Sequence, residues 1–228
     1  MTYYAEHSKH FIAVDCIIFG FDEGELKILL YKRSLEPAHG QWSLMGGFLQ
    51  TGESIDDAAR RILLNCSGLS QLFMEQLYTF GDIERDSFGR VVSIAYFSLV
   101  RIEDYDHELN HKNGACWVPI SNMPALIFDH RTMVNHALEQ LHIRAKNRPI
   151  GFELLPRKFT IPQLQNLYEA IFQKKLDKRN FRKKILSMGI LQKLDEKEKK
   201  SSKKGAFLYQ FDKRKYNKLV EKGFHFEI

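Results

Sequence analysis

Between Gln41 and Gly68 the hydrophobic period of the chain switches, and that switch narrows what it can fold into. Gln41 to Met45 has the make-up of a short strand that ends at Gly46-Gly47. A polar stretch then leads to Ser54, whose hydroxyl suits a helix N-cap. Asp56 and Asp57 follow, where the positive end of a helix dipole favours carboxylates. Ile55, Ala58, Ala59, Ile62, Leu63 and Cys66 recur at helical spacing, and Gly68 is a natural stop. A strand, a glycine pair and a capped amphipathic helix require a sheet for the helix to lie on.

The flanking sequence supplies one. Phe11 to Gly20 and Leu26 to Arg33 read as strands joined by the turn Phe21-Asp22-Glu23-Gly24. Asp15 interrupts the apolar run from Phe11 to Phe19. Leu77 to Glu84 and Val91 to Leu99 are strand-like around the polar turn Arg85 to Gly89, and Ala115 to Pro119 is a shorter run. Asp129 suits the N-cap of a helix reaching about Ile143, with Met133, Ala137, Leu138 and Leu141 as its apolar stripe. Arg144 to Pro149, basic and ending in proline, reads as a linker. The expectation is a mixed sheet with at least two packed helices over residues 1–147, followed by a second domain over 148–228.

That second domain has its own pattern. Thr160 and Gln163 form a capping-box pair ahead of Leu164, Leu167, Tyr168 and Ile171. Another helix is expected from Asp177 to Gly189. Ile190 to Leu194 and Ala206 to Phe211 read as strands around a Lys/Ser-rich loop, Asp195 to Lys204. Helix, helix, strand, basic loop, strand is the outline of a winged helix-turn-helix.

Charge separates the same two regions. The whole chain carries a formal +6, yet residues 1–150 hold 14 basic and 19 acidic residues, a net −5, and residues 151–228 hold 20 and 9, a net +11. A small, strongly basic domain points to a polyanionic partner. At 100° per residue Phe181, Ile185 and Met188 share one side of the Asp177 helix. Arg179, Asn180, Lys183, Lys184 and Ser187 share the other, with Lys178 and Arg182 at the flank. Such a helix suits the major groove of double-stranded DNA, where Arg can pair with guanine and Asn with adenine. Lys197, Lys199, Lys200, Lys203 and Lys204 would form the wing that reaches the backbone or minor groove.

Cys16, Cys66 and Cys116 are far apart and odd in number, a poor disulfide framework, so a reducing cytoplasm is the expected setting. No basic-then-apolar start suggests a signal peptide, and no stretch approaches the ~20 apolar residues of a membrane span.

Gly47, Glu53, Arg61, Leu63, Gly68 and Leu69 lie in register with the box G-x5-E-x7-R-E-U-x-E-E-x-G-U, where U is aliphatic. Gln41-Trp42-Ser43-Leu44-Met45-Gly46-Gly47 resembles the strand that enters it. On these residues the first domain resembles the Nudix family. The fold implied is α+β: a Nudix-type α/β/α sandwich with a mixed sheet, then a winged helix-turn-helix. The chemistry does not follow. The family's three clustered glutamates fall on Ile62, Asn65 and Cys66, none of them a hard carboxylate for Mg²⁺. No metal site, no cofactor and no catalytic residue is therefore expected. Glu53 and Arg61 are expected to persist as a structural pair.

Phe152-Glu153-Leu154-Leu155-Pro156, Phe159-Thr160, Leu164-Gln165, Leu167-Tyr168-Glu169 and Leu176 to Lys184 resemble the C-terminal domain of Nudix-related transcription regulators of the NrtR and AraR types. Phe128-Asp129-His130 resembles theirs too. The resemblance implies a homodimer on a palindromic operator, controlled by a small effector. The expected DNA-binding residues are Lys178, Arg179, Asn180, Arg182, Lys183, Lys184, Lys200, Lys203 and Lys204. The expected effector-binding residues, by analogy of fold, are Arg33, Trp42, Gly46, Gly47, Phe48, Asp129 and His130. NrtR-type members respond to ADP-ribose-like nucleotides and AraR-type members to arabinose. Without metal-binding carboxylates to bridge a diphosphate, the sequence favours a pentose such as arabinose. The competing readings are a Mg²⁺-dependent hydrolase of ADP-ribose-like substrates with an appended nucleic-acid-binding domain, and an interaction module whose basic tail meets a protein or membrane.

Overall fold

A computed structural model describes residues 6–69, 72–104, 114–199 and 205–228. Their contacts divide into two compact units. One holds residues 6–19, 27–69, 72–98 and 114–137, and the other holds 20–26, 99–104, 138–199 and 205–228.

The first unit is built on a mixed sheet. The strands of that sheet are β1 (Phe11–Asp22), β2 (Glu25–Lys32), β3 (Trp42–Ser43), β4 (Met45–Phe48), β5 (Glu75–Phe80), β6 (Val91–Arg101) and β7 (Ala115–Pro119), of which residues 20–22, 25–26 and 99–101 group with the second unit. Their order is β3-β2-β1-β6-β5, with β4 also on β1 and β7 also on β2. The β1–β2 turn is two residues long, and both take positive φ, 52° at Glu23 and 81° at Gly24, as a tight hairpin of this kind requires. Helix α1 (Ile55–Ser67) has the expected Ser54 cap, which accepts from the Asp57 N–H, and the left-handed Gly68 stop at φ 75°. It turns Ala58, Ala59, Ile62 and Leu63 into the core. Helix α2 (His130–Asn147) packs the His136 ring against Tyr78 and Phe80 of β5.

Two expectations needed correction here. Gly46 and Gly47 do not end a strand; they lie inside β4, paired antiparallel with Asp15 and Val14 of β1. The expected linker from Arg144 is helical as far as Asn147, because Ala145 continues the buried stripe of Met133, Val134, Ala137 and Leu141. Arg144 and Lys146 suit the negative end of that helix.

The second unit is the winged helix. β8 (Phe159–Thr160) leads into α3 (Ile161–Phe172), then α4 (Lys178–Ser187), β9 (Leu191–Glu198), β10 (Ala206–Phe211) and α5 (Lys213–Glu221). The strands form a sheet in the order β8-β10-β9. Thr160 and Gln163 make the reciprocal capping box that the sequence predicts. Tyr168 is fully buried against Phe172 and Phe181. The C-terminal half of α2 belongs to this unit: His142 donates to the Ile171 carbonyl, and Ile228 N–H donates to the Lys146 carbonyl over 3.1 Å. β9 runs to Glu198, four residues beyond the predicted strand, because Lys197 and Glu198 pair with Phe207 and Ala206.

Candidate functional site

Alternation along β1 decides the chemistry of the first unit. Asp15 and Cys16 are neighbours and so point to opposite faces. Cys16 meets the Ala59 carbonyl of α1. Asp15, only 4% exposed, enters a cluster of polar groups on the other face. The Ser93 hydroxyl donates to it over 2.5 Å, His130 Nε2 stands 3.5 Å away and the Arg85 guanidinium 3.8 Å. Arg85 also forks onto Asp129 with bonds of 2.9 and 2.8 Å. A buried guanidinium is thus shared by two carboxylates, the pairing that a low-dielectric site demands.

His130 completes the cluster. Its Nδ1 accepts from the Leu44 N–H over 3.2 Å, which places the ring proton on Nε2, facing Asp15. Burial holds its pKa below the usual histidine value, against the pull of the nearby carboxylates. The ring is therefore neutral at pH 7. Gly46 makes the arrangement possible, because a Cβ there would stand 2.1 Å from Asp15 Oδ1.

These groups floor a pocket of about 320 Å³. Of the residues expected to bind an effector, Arg33, Gly46, Gly47, Phe48 and His130 line it. Trp42 and Asp129 are not among its lining residues. The Trp42 ring lies under Lys32 on β3, and the Asp129 carboxylate is taken by Arg85. Sequence reasoning missed Asp15, Tyr31, Ser43 and Arg85, all of them lining residues. For Asp15 a signal existed, since it is the one charged residue in an apolar run. At the rim Arg33 Nε donates to the Leu35 and Pro37 carbonyls, and the rings of Phe48 and Phe11 stand 5.3 Å apart.

The box positions behave differently from a divalent-cation site. Ile62 is buried, with its Cγ1 positioned 3.3 Å from where a Gly47 Cβ would stand. Asn65 is exposed, and burial pushes the Cys66 thiol up to about 11, so it stays protonated near neutrality. Glu53 is held by Arg61 through bonds of 2.8 and 2.6 Å, which bears out the predicted pair. Asp56 accepts from the Tyr96 hydroxyl, and Asp57 from Ser54 and Arg60. Among the described residues no three His, Cys, Asp or Glu side chains group as metal ligands. The residues present at the box do not fit a bound Mg²⁺.

In the second unit, Asp177 caps α4 by accepting the Asn180 N–H over 2.8 Å. Phe181 and Ile185 are buried. Lys178, Arg179, Asn180, Arg182, Lys183 and Lys184 are all exposed. The turn before α4 is pinned by Glu169, which accepts from Lys175, the Leu176 N–H and Gln165. These bonds, that from Lys175 foremost, hold its carboxyl down at about 2. Lys197 lies in β9 rather than in the loop, and its ammonium and that of Lys193 stand 4.6 and 3.7 Å from the Phe207 ring centre. Lys200, Lys203 and Lys204 fall outside the described residues.

The first unit thus carries a polar pocket on a mixed sheet, and the second a capped basic helix in a winged-helix fold. The sequence matches the NUDIX domain family over residues 9–137 and the NrtR DNA-binding winged helix domain over residues 151–211. The chain belongs to the NrtR-type family of NUDIX-domain transcription regulators. It is 31% identical over 217 residues, 93% of this chain and 86% of the relative, to the ADPR responsive transcriptional repressor NtrR of Acinetobacter baylyi. It superposes on Shewanella oneidensis NrtR complexed with a 27mer DNA with a TM-score of 0.76 at 28% identity, covering 88% of this chain and 93% of that one. The NUDIX domain of the same Shewanella protein, complexed with ADP ribose, superposes with a TM-score of 0.53 at 30% identity, covering 62% of this chain and 99% of that one. The small molecule named with these relatives is ADP-ribose, and none of them supports the sequence-based lean toward a pentose.

Proposed function

We propose that the protein is an ADP-ribose-responsive transcriptional repressor. Residues 148–228 bind a palindromic operator as part of a cytoplasmic homodimer, and residues 1–147 sense the effector without hydrolysing it. The observation that carries this reading is the combination within one domain of a formed polar pocket and an apolar Ile62 at a box position where the family has a glutamate. A diphosphate nucleotide matches the lining. Arg33 offers a guanidinium for a phosphate, and the floor offers Ser43, His130 and Asp15 to ribose hydroxyls. The half-exposed Phe48 ring at the rim offers a flat face to adenine.

The test is a mobility-shift assay on DNA from upstream of the gene and its neighbours, with and without ADP-ribose. A sequence-specific complex that ADP-ribose dissolves in the absence of Mg²⁺ is the expected result. The same protein with Mg²⁺ and ADP-ribose is expected to release no AMP. Steady AMP release would establish the hydrolase reading instead, and a complex indifferent to ADP-ribose would remove the sensing role.

A further inference from the structure

The winged-helix family match ends at residue 211, yet the described chain continues into a further helix, α5. Asp212 caps it by accepting the Lys215 N–H over 2.8 Å, and Lys213, Arg214, Lys215 and Lys218 lie within it, with Lys222 at its C-cap. All five cations are exposed. None has a carboxylate partner among the described residues.

Their placement is regular. At 100° per residue, Arg214, Lys218 and Lys222 form one stripe at four-residue spacing. Tyr216 and Leu219, both half-buried, lie on the opposite side. Tyr216 anchors that side between Phe211 and Phe224, with ring centres 5.6 and 6.4 Å away. Like charges at this spacing repel one another, and among the described residues no carboxylate, Glu221 of the same helix included, forms an ion pair with them. A row of cations stepping about 6 Å along a helix suits a polyanion with regularly repeated charges.

The position of the helix selects the polyanion. The Asp212 N–H donates to the Ile190 carbonyl, just past the end of α4, and α5 follows directly on wing strand β10. Lys215 Nζ stands 3.6 Å from where a Gly189 Cβ would be, so this ammonium lies beside the C-terminal end of the basic helix α4. There it faces the negative end of that helix, a structural role that separates it from the stripe. The first turn of α5 thus adjoins the C-terminal end of α4.

We infer that the Arg214, Lys218 and Lys222 stripe is a third DNA-contacting element, which binds phosphates without reading bases. It rests on the DNA-binding reading above, and its test separates the two. The probe is fluorescence anisotropy of the full chain on a 5′-labelled random-sequence 30-base-pair duplex, at several salt concentrations. The triple variant R214Q/K218Q/K222Q is expected to lower the slope of log Kobs against log salt by about 2–3, since each lost phosphate contact removes about 0.9. The charge-conserving variant R214K/K218R/K222R is expected to keep the wild-type slope, which excludes a folding defect as the cause. An unchanged slope in the glutamine variant, with wild-type binding intact, overturns the stripe and leaves the DNA-binding reading standing. Failure of the wild-type chain to bind any duplex overturns both.

Discussion

The two units use charge in opposite ways. In the first, Asp15, Arg85 and His130 are withdrawn from water and paired with one another, with Ser93 and with the half-buried Asp129. In the second, six polar and basic side chains from Lys178 to Lys184 stand in solvent on a helix whose apolar side is buried. Buried charges must find partners inside the protein, because an unpaired one is costly to keep there. Exposed cations are cheap to keep and remain available to an outside partner. The first arrangement therefore builds a shaped pocket, and the second builds a surface for a polyanion.

The sharpest way to break this contrast is Arg85→Ala. Asp15 and Asp129 would lose their shared guanidinium inside the protein. A loss of about 3–5 kcal/mol is expected in urea denaturation of the first unit, and a variant as stable as the parent would refute the paired-network account. Gly46→Ala is the next in size. Its new Cβ collides with Asp15 Oδ1, so a loss of about 1–3 kcal/mol is expected, together with ADP-ribose affinity measured by calorimetry.

The exposed surface should respond through binding and not through folding. Arg179→Ala is expected to leave the melting temperature unchanged and to cost about 1–3 kcal/mol of discrimination at one operator position. Lys178→Ala is expected to weaken all sequences alike. Equal behaviour of the two in a competition assay would show that the helix faces are assigned wrongly.

The smallest effects concern pH, and they fall in different windows for the two units. The folded pKa of His130 is depressed, so its stability contribution is present above the unfolded value of about 6.5 and is lost as pH falls below it. His130→Asn, which keeps an acceptor for Leu44, is expected to flatten that decline. Glu169 is also depressed, to about 2, so its contribution to the winged helix is lost only as pH falls from about 4.5 toward 2. Tryptophan fluorescence reports the first unit, which contains Trp42 and Trp117, and far-UV circular dichroism follows the whole chain. Coincident acid transitions would contradict separate titrating groups.

Much of the fold is legible in the sequence because its signals are local. The Ser54 and Thr160 caps, the Gly68 stop, the hairpin at Glu23-Gly24 and the apolar stripe of α4 each depend on residues a few positions apart. The exposed basic side of α4 follows from the same periodicity. The ends of elements are less legible. Ala145 extends α2 and the β10 partner extends β9, and both depend on what the neighbouring chain offers.

The pocket was legible only in part. Gly47 and Phe48 follow from the strand that enters the box, Arg33 from the end of the strand before it, and His130 from the start of a helix. Trp42 looked equally suitable, yet its ring sits under Lys32.

The sequence by itself determined that the box helix lacks its clustered carboxylates and that a strongly basic winged helix follows it, because residue identity and short-range periodicity carry both facts. Only the tertiary structure decided that Asp15, Arg85 and His130 meet, and that Gly46 must lack a side chain beside them. Positions this far apart in the chain are brought together by strand pairing and burial. Once water is excluded, their charges must be matched, and no local pattern records which partner does so.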